Sequence, residues 1–186
     1  MKTVVFITAL LFLSRGVFAQ TEDRFTVHGA AKLITTWSGM TQDDASGTLD
    51  SGDEIIISTD IYGVGVRALH NDVLKELVSP RYGMEEDLGR VIVKVYEYDF
   101  DSDGLNEIIV IHSPEFSILT VEVFRYCSGL TERVGVLGGQ YQVWLEENSI
   151  RLPYGSFGLG HEYLYINASF YELVFHDPSP KEYDEY

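Results

Sequence analysis

The sequence predicts a mainly β protein with one short helix, arranged as an antiparallel sandwich or a propeller-like fragment of sheet. Three observations carry this. From Leu88 onward, runs rich in Val, Ile, Tyr and Phe are separated by turn signals at roughly 8–12-residue intervals, the spacing of sandwiches and barrels. Several runs, VIVKVYEY among them, alternate polar with apolar residues at the period of a half-buried strand. Only one stretch, HNDVLKELVSP, has helical spacing. There Val73, Leu74, Leu77 and Val78 recur at helical intervals, Asn71 or Asp72 supplies a cap and Pro80 a stop.

The elements follow in order. Residues 1–19 have the layout of an export signal: a basic Lys2, the apolar run VVFITALLFL, and Val17-Phe18-Ala19 before a cleavage point at Gln20. The apolar run is shorter than a membrane span, and no cysteine stands at the mature start to carry a lipid. A secreted or periplasmic location is therefore expected for residues 20–186, one β-rich domain. Phe25 to Trp37 forms a first extended segment, and Ser38 to Asp53 a long polar loop. DEIIIST is a short buried strand. DIYGVGVRAL carries two glycines two apart, which marks a bulge or a close backbone approach.

After the helix comes an acidic connector, RYGMEEDLGR. Strands are then expected at Arg90–Tyr98, Ile108–His112, Phe116–Tyr126 and Thr131–Leu137, then in YQVWLEE, IRLP and EYLYINASFYELVF. A glycine loop spans Tyr154–Gly160. Residues 177–186 form an acidic tail. Acidic turns that launch strands near residues 50, 101 and 147 echo one another at roughly 50-residue intervals, a length that repeat architectures use.

Charge narrows the partners. Thirteen Lys and Arg face 29 Asp and Glu, a net charge of −16, and loss of the signal takes Lys2 and Arg15 and moves it to −18. Such a field repels a phosphate backbone and an anionic membrane surface, and attracts divalent cations. Nucleic acid is excluded as a partner, as is a membrane span; a protein or carbohydrate ligand remains. Cys127 is the only cysteine, so no intramolecular disulfide staples the fold. It is expected as a small, half-buried strand residue.

The most specific stretch is DFDSDGLNE, Asp99–Glu107. Asp99, Asp101 and Asp103 stand at alternate positions, Gly104 follows, and Glu107 closes the ninth position. This is oxygen-ligand spacing for a hard cation, Ca²⁺ ahead of Mg²⁺. Alternate carboxylates on a tight turn can converge on one centre, and Gly104 permits the positive φ that a turn needs. With Ile108-Ile109-Val110 after it, the stretch resembles the calcium loop of FG-GAP and VCBS-type repeats, as in integrin α-subunit propellers. That resemblance covers about a dozen residues in a single intact copy. It implies Ca²⁺ held by Asp99, Asp101, Asp103, the Leu105 carbonyl and Glu107.

Competing readings of the loop fit less well. An EF-hand needs Glu at position twelve and flanking helices, whereas Val110 and strand-like runs stand there. A dehalogenase-type phosphatase motif needs Thr where Leu105 stands. A metal-free Asx-rich turn stays open, although crowded carboxylates without a cation are electrostatically costly.

Elsewhere no complete catalytic set is present. His161-Glu162 lacks the second His of a zinc protease motif, GSFGLG lacks the strand-before, helix-after setting of a phosphate loop, and Glu146-Glu147 is at most half of a carboxylate pair. Asn167-Ala168-Ser169 is a glycosylation sequon, which counts only in a eukaryotic secretory pathway. Trp144 and the Tyr/Phe set between Tyr154 and Phe175 form either a ligand-binding face or core. The expected function is a non-catalytic calcium-binding module for binding, adhesion or structure. An exported hydrolase, or an inhibitor acting through the loop near Gly155, is the alternative.

Overall fold

The computed structural model describes residues 25–41, 43–60, 63–78, 88–115, 118–154 and 159–176. The expected export signal, most of the acidic connector, the middle of the glycine loop and the acidic tail lie outside them. Among the described residues, fourteen strands form three open sheets. β1 (Thr26–Gly29), β11 (Gln142–Glu146), β12 (Ser149–Tyr154), β13 (Leu159–Ile166) and β14 (Ser169–His176) make one, in the order β1-β11-β12-β13-β14. β10 (Leu130–Gly139), β9 (Ile118–Cys127), β8 (Glu107–Glu115), β7 (Ile92–Tyr98) and β2 (Lys32–Ser38) make the second. β3 (Ala45–Thr48), β4 (Glu54–Asp60), β5 (Gly63–His70) and β6 (Val73–Val78) make the third. All pairings are antiparallel except β1 with β11.

The second sheet is the middle layer, which explains the solid apolar run that opens β8. Successive side chains of a strand point to opposite faces, and here both faces are covered. Ile108 and Val110 join Val93, Val95, Phe124 and Tyr126 against Ile55, Ile57, Val64 and Val66 of the third sheet. Ile109 and Ile111 join Tyr96, Val121 and Val123 against Val143, Leu145, Ile150 and Leu152 of the first. A strand covered on both sides has no solvent face that favours polar residues, so the run Ile108–Ile111 is continuous, whereas β7 and β9 beside it carry Lys94, Glu97 and Glu122 as buried polar residues. The fold is a sandwich of three sheets around two cores.

The expected helix is a strand. Asn71 (φ 48°) and Asp72 (φ 63°) make a tight two-residue turn that brings Val73 opposite His70, and β6 then pairs along β5. The residue types that cap helices also hold tight turns, because their short polar side chains bond nearby backbone and tolerate positive φ. The adjacent pair Leu77 and Val78 has its own cause. The register shifts between Val66, which faces Val78, and Arg67, which faces Glu76, leaving Leu77 as the extra residue of a bulge. Leu77 and Val78 consequently both reach the first core, two adjacent apolar residues on one side of a strand, while Val73 and Leu74, which completed the apparent helical stripe, are exposed.

Other boundaries moved as well. Phe25–Trp37 splits between two sheets, and the polar loop before Asp53 contains β3. EYLYINASFYELVF is a hairpin, β13 and β14, joined by Asn167 and Ala168. Among the described residues no helix is long and apolar enough to cross a membrane.

Candidate metal centre

Residues 99–106 connect β7 to β8, and the hairpin is closed by Tyr98 opposite Glu107. The loop is anchored by Phe100, whose side chain is fully buried in the core between the first and middle sheets. Its ring meets Tyr98 edge-on at 4.9 Å, Tyr165 at 5.4 Å and Phe170 edge-on at 5.9 Å between centroids, spacings typical of favourable aromatic pairs. The backbone is held on the same side. Asn148, in the β11–β12 turn, donates its N–H to the Phe100 carbonyl at 2.8 Å and accepts the N–H of Tyr165 at 2.7 Å.

Past Phe100 the chain turns outward. Ser102 (φ 57°) and Gly104 (φ 86°) take left-handed conformations, and open space surrounds the position a Cβ would occupy on Gly104. Asp99 accepts the N–H groups of Asp103 (3.2 Å) and Gly104 (2.9 Å), and Asp103 accepts the N–H of Leu105 (2.8 Å). These are the short local bonds of an Asx-rich turn. Asp101 makes no such bond among the described residues; its exposed carboxylate is free of a structural task. One carboxylate oxygen from each of Asp99, Asp101 and Asp103 lies within 4.8 Å of the others. Oxygens about 2.4 Å from a common centre are at most about 4.8 Å apart, so the spacing of the three meets the upper limit for ligands that share one cation.

Glu107 sits apart from that group. It is 2% exposed, and its carboxylate accepts the N–H of Phe100 at 3.2 Å and the hydroxyl of Tyr165 at 2.9 Å. Burial pushes its pKa up against the help of these donors, and the charge of Asp101 adds to the rise. Burial and the bond to Glu107 push the Tyr165 hydroxyl up too, so it stays a donor. Each carboxylate oxygen keeps a second lone pair, so these bonds leave Glu107 capacity to accept a cation. Leu105 follows Gly104 with its side chain about half exposed, lining a cavity with Asn106, Arg125, Tyr126, Leu130 and Glu132.

The acidic turns that echo one another in the sequence meet at this end of the molecule. Asp50, in the β3–β4 turn, accepts the Asn106 side-chain amide at 3.2 Å, and its own N–H is held by Glu97 at 3.0 Å. Lys32 bridges Asp50 and Glu97; its bond to Asp50 holds the carboxyl below the usual range and the ammonium above it. In the same turn, Asp53 accepts from His70 Nδ1 and from the Tyr126 hydroxyl, each at 2.7 Å. The β11–β12 turn contributes Asn148. The loop is therefore tied to all three sheets.

Phe100, Tyr165, Asn148 and Asp50 are the supports that spacing alone did not expose. A signal existed only for Phe100, an aromatic residue inside a run of acids. The remaining candidates separate cleanly. Cys127 is exposed at the end of β9 rather than half-buried, because the strand runs out of its cover there. Glu146 pairs with Arg151 at 3.2 Å. His112 is buried against Glu122, whereas His28 stacks on Trp144 with centroids 4.0 Å apart. The aromatic set is divided: Tyr165 is core, and Trp144 is half-buried. Comparison with protein-family models, with curated proteins and with solved structures returns no match.

Proposed function

We propose that this is an exported, non-catalytic calcium-binding β domain, in which Ca²⁺ braces the β7–β8 loop and the surface serves binding or adhesion to a protein or carbohydrate. The ligands are Asp99, Asp101, Asp103, the Leu105 carbonyl and Glu107, as in the FG-GAP and VCBS-type loops that the stretch resembles. The observation that supports this most is the convergence of three aspartate oxygens within 4.8 Å on a loop anchored to the core. A strongly acidic chain, with net charge −16, gathers cations at such a point.

The ion's role here is structural. It offsets the mutual repulsion of the carboxylates and links the exposed half of the loop to the buried Glu107. Sites of this class in extracellular modules bind with dissociation constants of about 10⁻⁴ to 10⁻³ M, adequate where Ca²⁺ is millimolar. Calorimetric titration of the chelator-treated protein with CaCl₂ tests the reading. One saturable site in that range is expected; a flat titration refutes it.

A further inference from the structure

We propose that Asn167 is a site of N-linked glycosylation. Four asparagines occur in the chain, Asn71, Asn106, Asn148 and Asn167, and only Asn167 is followed two residues later by Ser or Thr. The intervening Ala168 is not proline, so Asn167-Ala168-Ser169 satisfies the acceptor pattern. The fold presents it well. Asn167 (φ 51°) and Ala168 (φ 57°) are the two turn residues of the β13–β14 hairpin, closed by Ile166 opposite Ser169. Asn167 and Ser169 are both exposed. Asn71 and Asn106 spend their amides on His70 and Asp50. Among the described residues, neither the Asn167 amide nor the Ser169 hydroxyl makes a hydrogen bond, so a glycan there displaces nothing.

The co-substrate is a lipid-pyrophosphate-linked oligosaccharide. Asn167 Nδ2 attacks C1 of its reducing-end sugar. The N–C1 bond forms, the bond from C1 to the phosphate oxygen breaks, the lipid pyrophosphate leaves, and one amide proton passes to a base of the transferase. No redox change occurs. The glycan stands at one end of β14, an outer strand of its sheet whose Tyr171, Leu173 and Val174 are exposed. An edge left unpaired among the described residues invites pairing with other chains, and a bulky polar group beside it hinders that pairing.

The inference rests on the export half of the proposed function, and the test separates the two. The full chain is expressed in a eukaryotic secretory host with its own leader and, in parallel, with residues 1–19 replaced by a leader that the host cleaves. The secreted protein is weighed before and after peptide N-glycosidase, and Asn-to-Asp conversion is mapped. A glycan is expected on Asn167, lost in Asn167→Gln and Ser169→Ala and kept in Ser169→Thr. Export of the parallel chain, folded by circular dichroism but without sugar on Asn167, overturns the inference. Export and glycosylation of the parallel chain alone supports it while removing the native leader from the reading.

Discussion

Asp101 is the residue at which a calcium site and a metal-free turn make opposite predictions. Asp99 and Asp103 accept backbone N–H groups of the loop, so replacing either costs stability whether or not a metal binds. Asp101 carries no such bond, and its carboxylate belongs only to the convergent cluster. In about 10 mM Ca²⁺, a site with a dissociation constant of about 10⁻⁴ to 10⁻³ M stabilises the folded state by roughly 1.4–2.7 kcal/mol. For a chain of this size that raises Tm by roughly 3–11 °C over the same protein in EDTA. In Asp101→Asn the shift should collapse to a small fraction of that. Its Tm in EDTA should equal or slightly exceed the parent's, because a like charge has been removed at an exposed site. Differential scanning calorimetry of both proteins in both buffers is the assay. An Asp101→Asn protein with the parental response refutes the ligand assignment, and equal parental Tm values in EDTA and Ca²⁺ refute the site. As a control, Asp99→Ala should lose about 1 kcal/mol in EDTA, where only its backbone bonds are removed, and more in Ca²⁺, where a ligand goes with them.

Three further outcomes follow from the geometry. Phe100→Ala empties a fully buried aromatic site and should cost about 3–5 kcal/mol in urea unfolding, with weakened Ca²⁺ binding because the loop loses its anchor. Ala168→Gly should stabilise the hairpin by about 1 kcal/mol, since an L residue with a Cβ now occupies left-handed backbone at φ 57°; an unchanged or lower urea midpoint counts against that strain. Asp53 links the third sheet to the middle one. Burial raises its pKa, but the bonds from Tyr126, His70 and Ser51 together outweigh it and leave the pKa below 3.8. Its folded-state pKa being the lower, Asp53 contributes stability that is present above pH 3.8 and lost as pH falls through the folded value. Urea midpoints measured downward from neutral pH should therefore drop less steeply at the acid end in Asp53→Asn than in the parent, and parallel curves would exclude the linkage.

Much of the fold was legible because strands write short-range rules into sequence. Alternation in VIVKVYEY and the turn pairs Ser128-Gly129 and Glu147-Asn148 mark β7, β9, β10, β11 and β12 to within a few residues. The helix expected at residues 71–80 shows where such rules fail. Asn and Asp serve both caps and turns, and a bulge at Leu77 turns two adjacent apolar residues to one core; only pairing with β5, remote from local preference, decides between helix and strand. In the loop, the three aspartates and Gly104 were visible as a pattern because ligands on one tight turn must be close in sequence. Tyr165 and Asn148 were not, since they reach the loop from a different sheet.

By itself, then, the sequence determined a β-rich chain, a strongly acidic surface and one turn able to gather carboxylates, all properties of composition and of neighbours along the chain. Tertiary structure alone decided that the middle sheet is covered on both faces, and that Glu107 is buried beneath Tyr165 instead of standing in the open cluster. It also decided that the turns at Asp50 and Asn148 close on the β7–β8 loop. The physical reason is the same in each case. Burial and long-range hydrogen bonds depend on which strands lie side by side, and that choice is made by packing the whole chain at once.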